Sequence, residues 1–206
     1  MSNFAKAILG LVILLVVIVG LSYLAGRSGE EPAPGTPAAP TGPLKIGFIG
    51  PLTGDAAAYG EPLSNVMRLA VEEINTAGGI DERQLEIIYE DGKCNGQDAA
   101  SAAQKLINID GVRVILGGFC SSESLAAVPI AEAAKVVILS GGSSSPDLTG
   151  KSLYFFRNYP SDATQGSILA DVANKEGLKT VAFIQEQLDY PLGIFKAFEV
   201  AFVAVG

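Results

Sequence analysis

The stretch GGFCSSES, residues 117–124, sets one thiol and three hydroxyls within five residues at the end of an apolar run. Cys120 in that position can be a nucleophile, a metal ligand, half of a disulfide, or filler in a turn. The chain has no histidine. That removes Cys–His and Ser–His catalysis, HExxH zinc chemistry and imidazole ligands together. The other cysteine is Cys94, in EDGKCNGQ, and two thiolates are too few for a four-thiolate zinc site. Neither an enzyme, a metal site nor a cofactor is therefore expected. Ser121 and Ser122 follow the cysteine where a helix begins. The first N–H groups of a helix are unpaired and its dipole is positive there, which suits a ligand carboxylate. The same serine can instead serve as a simple N-cap. Both readings fit the residues.

The elements around these loops follow from hydrophobic spacing. LKIGFIG, QLEIIYEDG, VRVILGGF, VVILS, YFF and KTVAFIQ read as short strands. Between them, EPLSNVMRLAVEEINTAGGI, GQDAASAAQKLIN, SSESLAAVPIAEAAK and DATQGSILADVANKEG read as helices, and a last one opens near Pro191. Pro62 suits a first turn, Gly78-Gly79 a stop, and Pro129 a kink. Apolar strands alternating with helices predict an α/β fold, a parallel Rossmann-like sheet flanked by helices on both faces. In such sheets ligands bind beyond the C-terminal strand ends, which selects the loops at residues 50–60, 91–96, 117–124, 141–149 and 185–193. None carries GxGxxG or GxxxxGK[ST], so a nucleotide site is not expected. Cys94 follows the second strand and Cys120 the third. Sequential βαβ strands often lie side by side, and outside the cytoplasm such a pair forms a disulfide most economically. Two free buried thiols are the alternative.

The rest of the chain is different in kind. Lys6 and Arg27 bracket 20 uncharged residues, roughly the 30 Å of a membrane core as a helix. The run exceeds the core of a signal peptide, about 7–15 residues. Its end, LSYLA, is a poor cleavage site, and no cysteine follows to carry a lipid. Residues 1–27 are thus expected to be a transmembrane anchor or signal segment, with residues 7–25 retained in the membrane and the N-terminus inside. Residues 28–43 hold five prolines and three glycines and read as a semi-rigid tether. The formal net charge is −8 with no basic cluster, so nucleic acid is not an expected partner.

From Leu44 to about Phe198 the sequence resembles the leucine/isoleucine/valine-binding protein family of the type I periplasmic solute-binding fold. The resemblance rests on KIGFIGPLTGDAAAYG, EEINTAGGI, YEDGKCNGQDAA, GGFCSSES, LSGGSSSPDLT, FFRNYPSDATQG and LDYPLG, in that order and spacing. It implies a disulfide between Cys94 and Cys120. It implies a ligand carboxylate held at Ser121 and at Ser144, which stands where the family has a threonine. A backbone carbonyl near Gly142 would receive the α-ammonium, and Tyr59 and Tyr190 would flank the ligand from two lobes. Residues 44–158 would be lobe one and residues 159–206 the start of lobe two, with the hinge crossover near residues 157–160. The family's acidic residue and further aromatic from lobe two have no counterpart here, so this chain alone is expected to bind weakly.

The function implied is an extracytoplasmic substrate-binding protein of an ABC importer, taking an amino acid or similar small polar solute. Its partners would be that solute, an ABC permease, and the membrane through the N-terminal helix. A membrane-tethered sensing ectodomain of the same fold is the second reading, and a non-functional fragment the third.

Overall fold

A computed structural model describes residues 42–205. The anchor expected at residues 7–25 and nearly all of the tether lie outside the described residues. Among the described residues no helix is long and apolar enough to cross a membrane.

Five short strands form one parallel sheet: β1 (Leu44–Gly50), β2 (Leu85–Asp91), β3 (Val114–Gly117), β4 (Val137–Ser140) and β5 (Phe155–Arg157). Their order is β2-β1-β3-β4-β5, with Gly50 beside Asp91, Ile49 beside Gly117 and Ser140 beside Arg157 at the C-terminal ends. The order reverses between β1 and β3, so a crevice opens there beyond the strand ends. Gly117 makes the exit of β3 possible. Its φ is +119°, and a Cβ would run into the carbonyl of Ile49.

Side-chain alternation sorts the apolar residues onto two faces. Ile49, Ile115 and Ile138 point to the side carrying α2 (Gly96–Asn108) and α3 (Ser121–Ala134). α2 offers Ala99, Ala102, Ala103 and Leu106, a helical stripe of small residues that lets α3 pack close through Ala127, Val128 and Ala131. All of these are buried. Asn95 caps α2 by accepting the Asp98 N–H at 2.9 Å. α3 continues through Pro129 as one helix.

On the opposite face Phe48 meets Leu63 and Met67 of α1 (Ala57–Thr76) around a hollow of about 180 Å³. α1 begins five residues before Pro62, so that proline sits in the second turn rather than the first. Leu139 and Phe156 on the same face are 40% and 54% exposed. Among the described residues this side of the sheet is thus covered only in part, where full cover was expected.

After β5 the chain forms α4 (Asp162–Lys175) and α5 (Asp189–Val205). They pack through Ala170, Ala173 and Phe198, with the Phe183 ring 5.8 Å from that of Phe198. Gly166 makes the approach close, since a Cβ there would lie 2.5 Å from that of Ala197. KTVAFIQ, expected as a strand, has no ladder partner and is not one. A strand exists only by pairing, and the described residues supply no neighbour for it.

Candidate functional site

Cys94 and Cys120 are bonded, with Cα atoms 5.2 Å apart. The bridge joins the loop after β2 to the N-terminus of α3. Glu123 lies behind it, fully buried. One carboxylate oxygen accepts the Cys94 N–H at 3.0 Å and the other the Cys120 N–H at 2.9 Å. The same carboxylate therefore clamps both half-cystines. Burial pushes the Glu123 carboxyl above its usual range, while the N–H groups of Cys120, Cys94 and Phe119 pull it down and Asp91 adds to the rise. A carboxyl with a raised native pKa keeps its proton more tightly folded than unfolded. This group therefore makes the fold less stable as pH rises from the ordinary glutamate range through the raised value. Glu123→Gln puts an NH2 against one of the two N–H donors. The substitution is expected to cost about 2 kcal/mol in denaturant unfolding near neutral pH. A cost within about 0.5 kcal/mol of zero would show that the clamp carries no stability.

Serines stitch the next two loops together. The hydroxyls of Ser140 and Ser143 each donate to the Gly118 carbonyl at 2.8 Å. Ser143 also donates to the Cys120 carbonyl at 3.0 Å, and its oxygen lies 2.7 Å from that of Ser124. The N-cap of α3 is Cys120, not a serine. Ser121 is the first helical residue, 2% exposed, and its hydroxyl oxygen accepts the Ser145 N–H at 3.1 Å. The simple N-cap reading of Ser121 therefore does not match the geometry. The hydroxyl hydrogen remains available to an acceptor. Ser144 lies across the same seam, 1% exposed, and its carbonyl accepts the Asp162 N–H at 2.9 Å. Ser121 and Ser144 thus come from different strand ends and are joined through the backbone of Ser145.

Aromatic rings border this seam. Tyr59, 62% exposed, stacks on Phe119 with ring centroids 5.6 Å apart. Gly142 packs beneath Phe119, where a Cβ would lie 2.5 Å from the ring. Tyr190 opens α5 and is 48% exposed. Its phenol is raised first by burial, then by the Asp162 carboxylate and the Tyr159 and Tyr59 hydroxyls. The loop that leads to Tyr59 is held by Asp91, whose carboxylate accepts the Leu52 N–H at 2.9 Å, the Thr53 N–H and the Thr53 hydroxyl.

The residue pattern does not single out Glu123, Ser143, Arg157 or Asp162. Glu123 had a signal: an acidic residue three places after the N-cap is the spacing of a capping box. Arg157 ends β5. Its guanidinium donates to the carbonyls of Ser145 at 2.9 Å and Ser143 at 3.3 Å, and to the Thr149 hydroxyl at 2.8 Å. It frames Ser144 from both sides. Burial pulls that guanidinium's pKa down and Asp162 opposes the shift. A hollow of about 380 Å³ lies elsewhere. It is apolar, between α4, the 178–184 segment and α5, and suits packing of more chain better than a polar solute.

The polar cradle lies beyond the C-terminal ends of β3 and β4, the end of a parallel sheet at which α/β folds bind ligands. Residues 43–206 match the model of the periplasmic binding protein family, and the chain belongs to that family. It is 33% identical over 153 residues to the leucine-, isoleucine-, valine-, threonine- and alanine-binding protein of Pseudomonas aeruginosa, covering 73% of this chain and 41% of that one. A branched-chain amino acid transporter substrate-binding protein from Streptococcus pneumoniae, solved with isoleucine, superimposes with a TM-score of 0.68 at 34% identity, over 78% of this chain and 47% of that one. A solute-binding protein of an ABC transporter from Rhodopseudomonas palustris, solved with 3,4-dihydroxybenzoic acid, gives 0.67 at 29% identity, over 79% and 44%. The chain spans less than half the length of these relatives.

Proposed function

We propose that this chain is lobe one and the opening of lobe two of an extracytoplasmic solute-binding protein that delivers an amino acid to an ABC importer. Residues 44–158 form the first lobe and residues 159–206 begin the second, with the hinge crossover at residues 157–160. Ser121 and Ser144 hold the ligand carboxylate, helped by the N–H groups at the start of α3. The Gly142 carbonyl takes the ammonium, and Tyr59 and Tyr190 close on the side chain. The observation that carries the reading is the buried Ser121 hydroxyl at that helix start, tied to the Ser144 loop by the Ser145 N–H. The named ligands of relatives support it, since branched-chain amino acids recur among them. Those relatives are binding proteins rather than enzymes, so binding and release without bond making is the activity proposed. An importer's binding protein works outside the cytoplasm, beside its permease. The apolar run at residues 7–25 would tether it there.

Calorimetric titration of the full-length protein with leucine, isoleucine, valine, alanine and 3,4-dihydroxybenzoate tests the reading. Saturable one-to-one binding of at least one of the amino acids is expected. Binding of the aromatic acid alone, or of nothing, would overturn the amino-acid assignment.

A further inference from the structure

Just after Ser144 the chain makes a single 3-10 turn, Pro146–Leu148, and the Ser145 hydroxyl oxygen caps it by accepting the Asp147 N–H at 3.3 Å. The turn is joined firmly to the cradle. The Ser145 N–H donates to the Ser121 hydroxyl at 3.1 Å, and Arg157 donates to the Ser145 carbonyl at 2.9 Å. Leu148 is buried in the core beneath the sheet.

α5, in the part of the chain proposed to open lobe two, is seated on this turn. Gly193 stands inside α5 and is buried, although glycine is a poor helix former. The contact accounts for it. A Cβ there would lie 2.8 Å from Pro146 Cδ and 3.2 Å from Ser145 Oγ. Three residues on, Lys196 Nζ lies 3.3 Å from Asp147 Oδ2. Tyr190, Gly193 and Lys196 recur at three-residue spacing and so run along one side of α5. The side that carries Tyr190 is therefore the side seated on the Ser145–Asp147 turn. Asp147 and Lys196 are both half-exposed, so their ion pair adds little by itself. The close approach at Gly193 sets the separation of helix and turn, and the pair sets their register.

We infer that Gly193 and Lys196 are positioning residues, which dock α5 on the Ser145–Asp147 turn and so set Tyr190 against a ligand held at Ser144. The inference rests on the amino-acid reading of the Ser121–Ser144 cradle and adds to it a contact that registers one lobe on the other.

The test is calorimetric titration of the full-length protein with L-leucine, well below its melting temperature. Gly193→Leu overfills the contact and is expected to weaken leucine binding about tenfold. Asp147→Lys and Lys196→Asp each turn an attraction into a repulsion at a half-exposed site and should each cost about threefold to fivefold. The exchanged pair, Asp147→Lys/Lys196→Asp, should return to within about twofold of the parent. Loss of stability alone would not produce that recovery. In a Tyr190→Ala background the Gly193→Leu effect should shrink to within about twofold, because the docking acts through Tyr190. Affinity like the parent's in Gly193→Leu would overturn the inference. So would an exchanged pair no better than the single reversals, or a Gly193→Leu effect of full size without Tyr190. The charge variants change half-exposed side chains and decide the matter even where Gly193→Leu does not fold. In each of these failures, leucine binding that still depends on Ser121 would leave the cradle standing. A parent that does not bind leucine would instead remove the amino-acid reading, and this inference with it.

Discussion

The Cys94→Ala/Cys120→Ala double variant is expected to unfold with a free energy about 3–4 kcal/mol below that of the parent. The bridge closes a loop with a sequence separation of 26, spanning α2 and β3. Without it the unfolded chain regains the conformational freedom that the cross-link removes. The native state loses something too. Lys93 and Cys94 are held at φ +46° and +58°, a left-handed region that costs non-glycine residues free energy and persists only when neighbours enforce it. The disulfide and the Glu123 carboxylate are those neighbours. Denaturant titration of the oxidised parent against the double variant reads the difference. A loss below about 1 kcal/mol would mean that Glu123 and the serine stitches hold the two loops unaided.

Ser121→Ala is expected to weaken amino-acid binding about tenfold to a hundredfold, the loss of one charge-assisted hydrogen bond from a buried site. The alanine keeps the helix, because the N-cap is Cys120. It also strips an acceptor from the Ser145 N–H, which is buried. A stability loss of about 1 kcal/mol should therefore accompany the weaker binding. Titration well below the melting temperature separates the two effects. Affinity within twofold of the parent, together with a lowered Tm, would make Ser121 a loop stitch and not a ligand contact.

Much of this arrangement is legible in the residues. Apolar runs of four to seven residues alternating with helical stripes define the parallel sheet, because burial on both faces suppresses the polar–apolar alternation of a half-exposed strand. Ala99, Ala102, Ala103 and Leu106 announce the buried side of α2 by spacing alone. The disulfide expected from Cys94 and Cys120 at the ends of successive strands is present, but those strands do not lie side by side: β1 runs between β2 and β3, so the two loops meet across the end of β1. What stays hidden depends on pairing in space. KTVAFIQ has a strand's composition, but pairing requires a neighbour that local pattern cannot supply. Ser121 has the composition of an N-cap, and only the fold reveals that its oxygen serves the Ser145 N–H instead. Asp162 and Arg157 look like ordinary charges in FFRNYPSD. Their roles arise because β5 ends beside β4, so that Arg157 pairs with Ser140 and the serine loop folds over both.

The most direct test of the central claim follows backbone amide resonances of the full-length protein during a leucine titration. Binding in the cradle predicts saturable shifts of the Ser121, Ser122, Ser144 and Ser145 amides together with Tyr59, and their loss in Ser121→Ala. Saturable shifts confined to other regions, such as the apolar hollow around Leu169, Phe183 and Phe198, would contradict it.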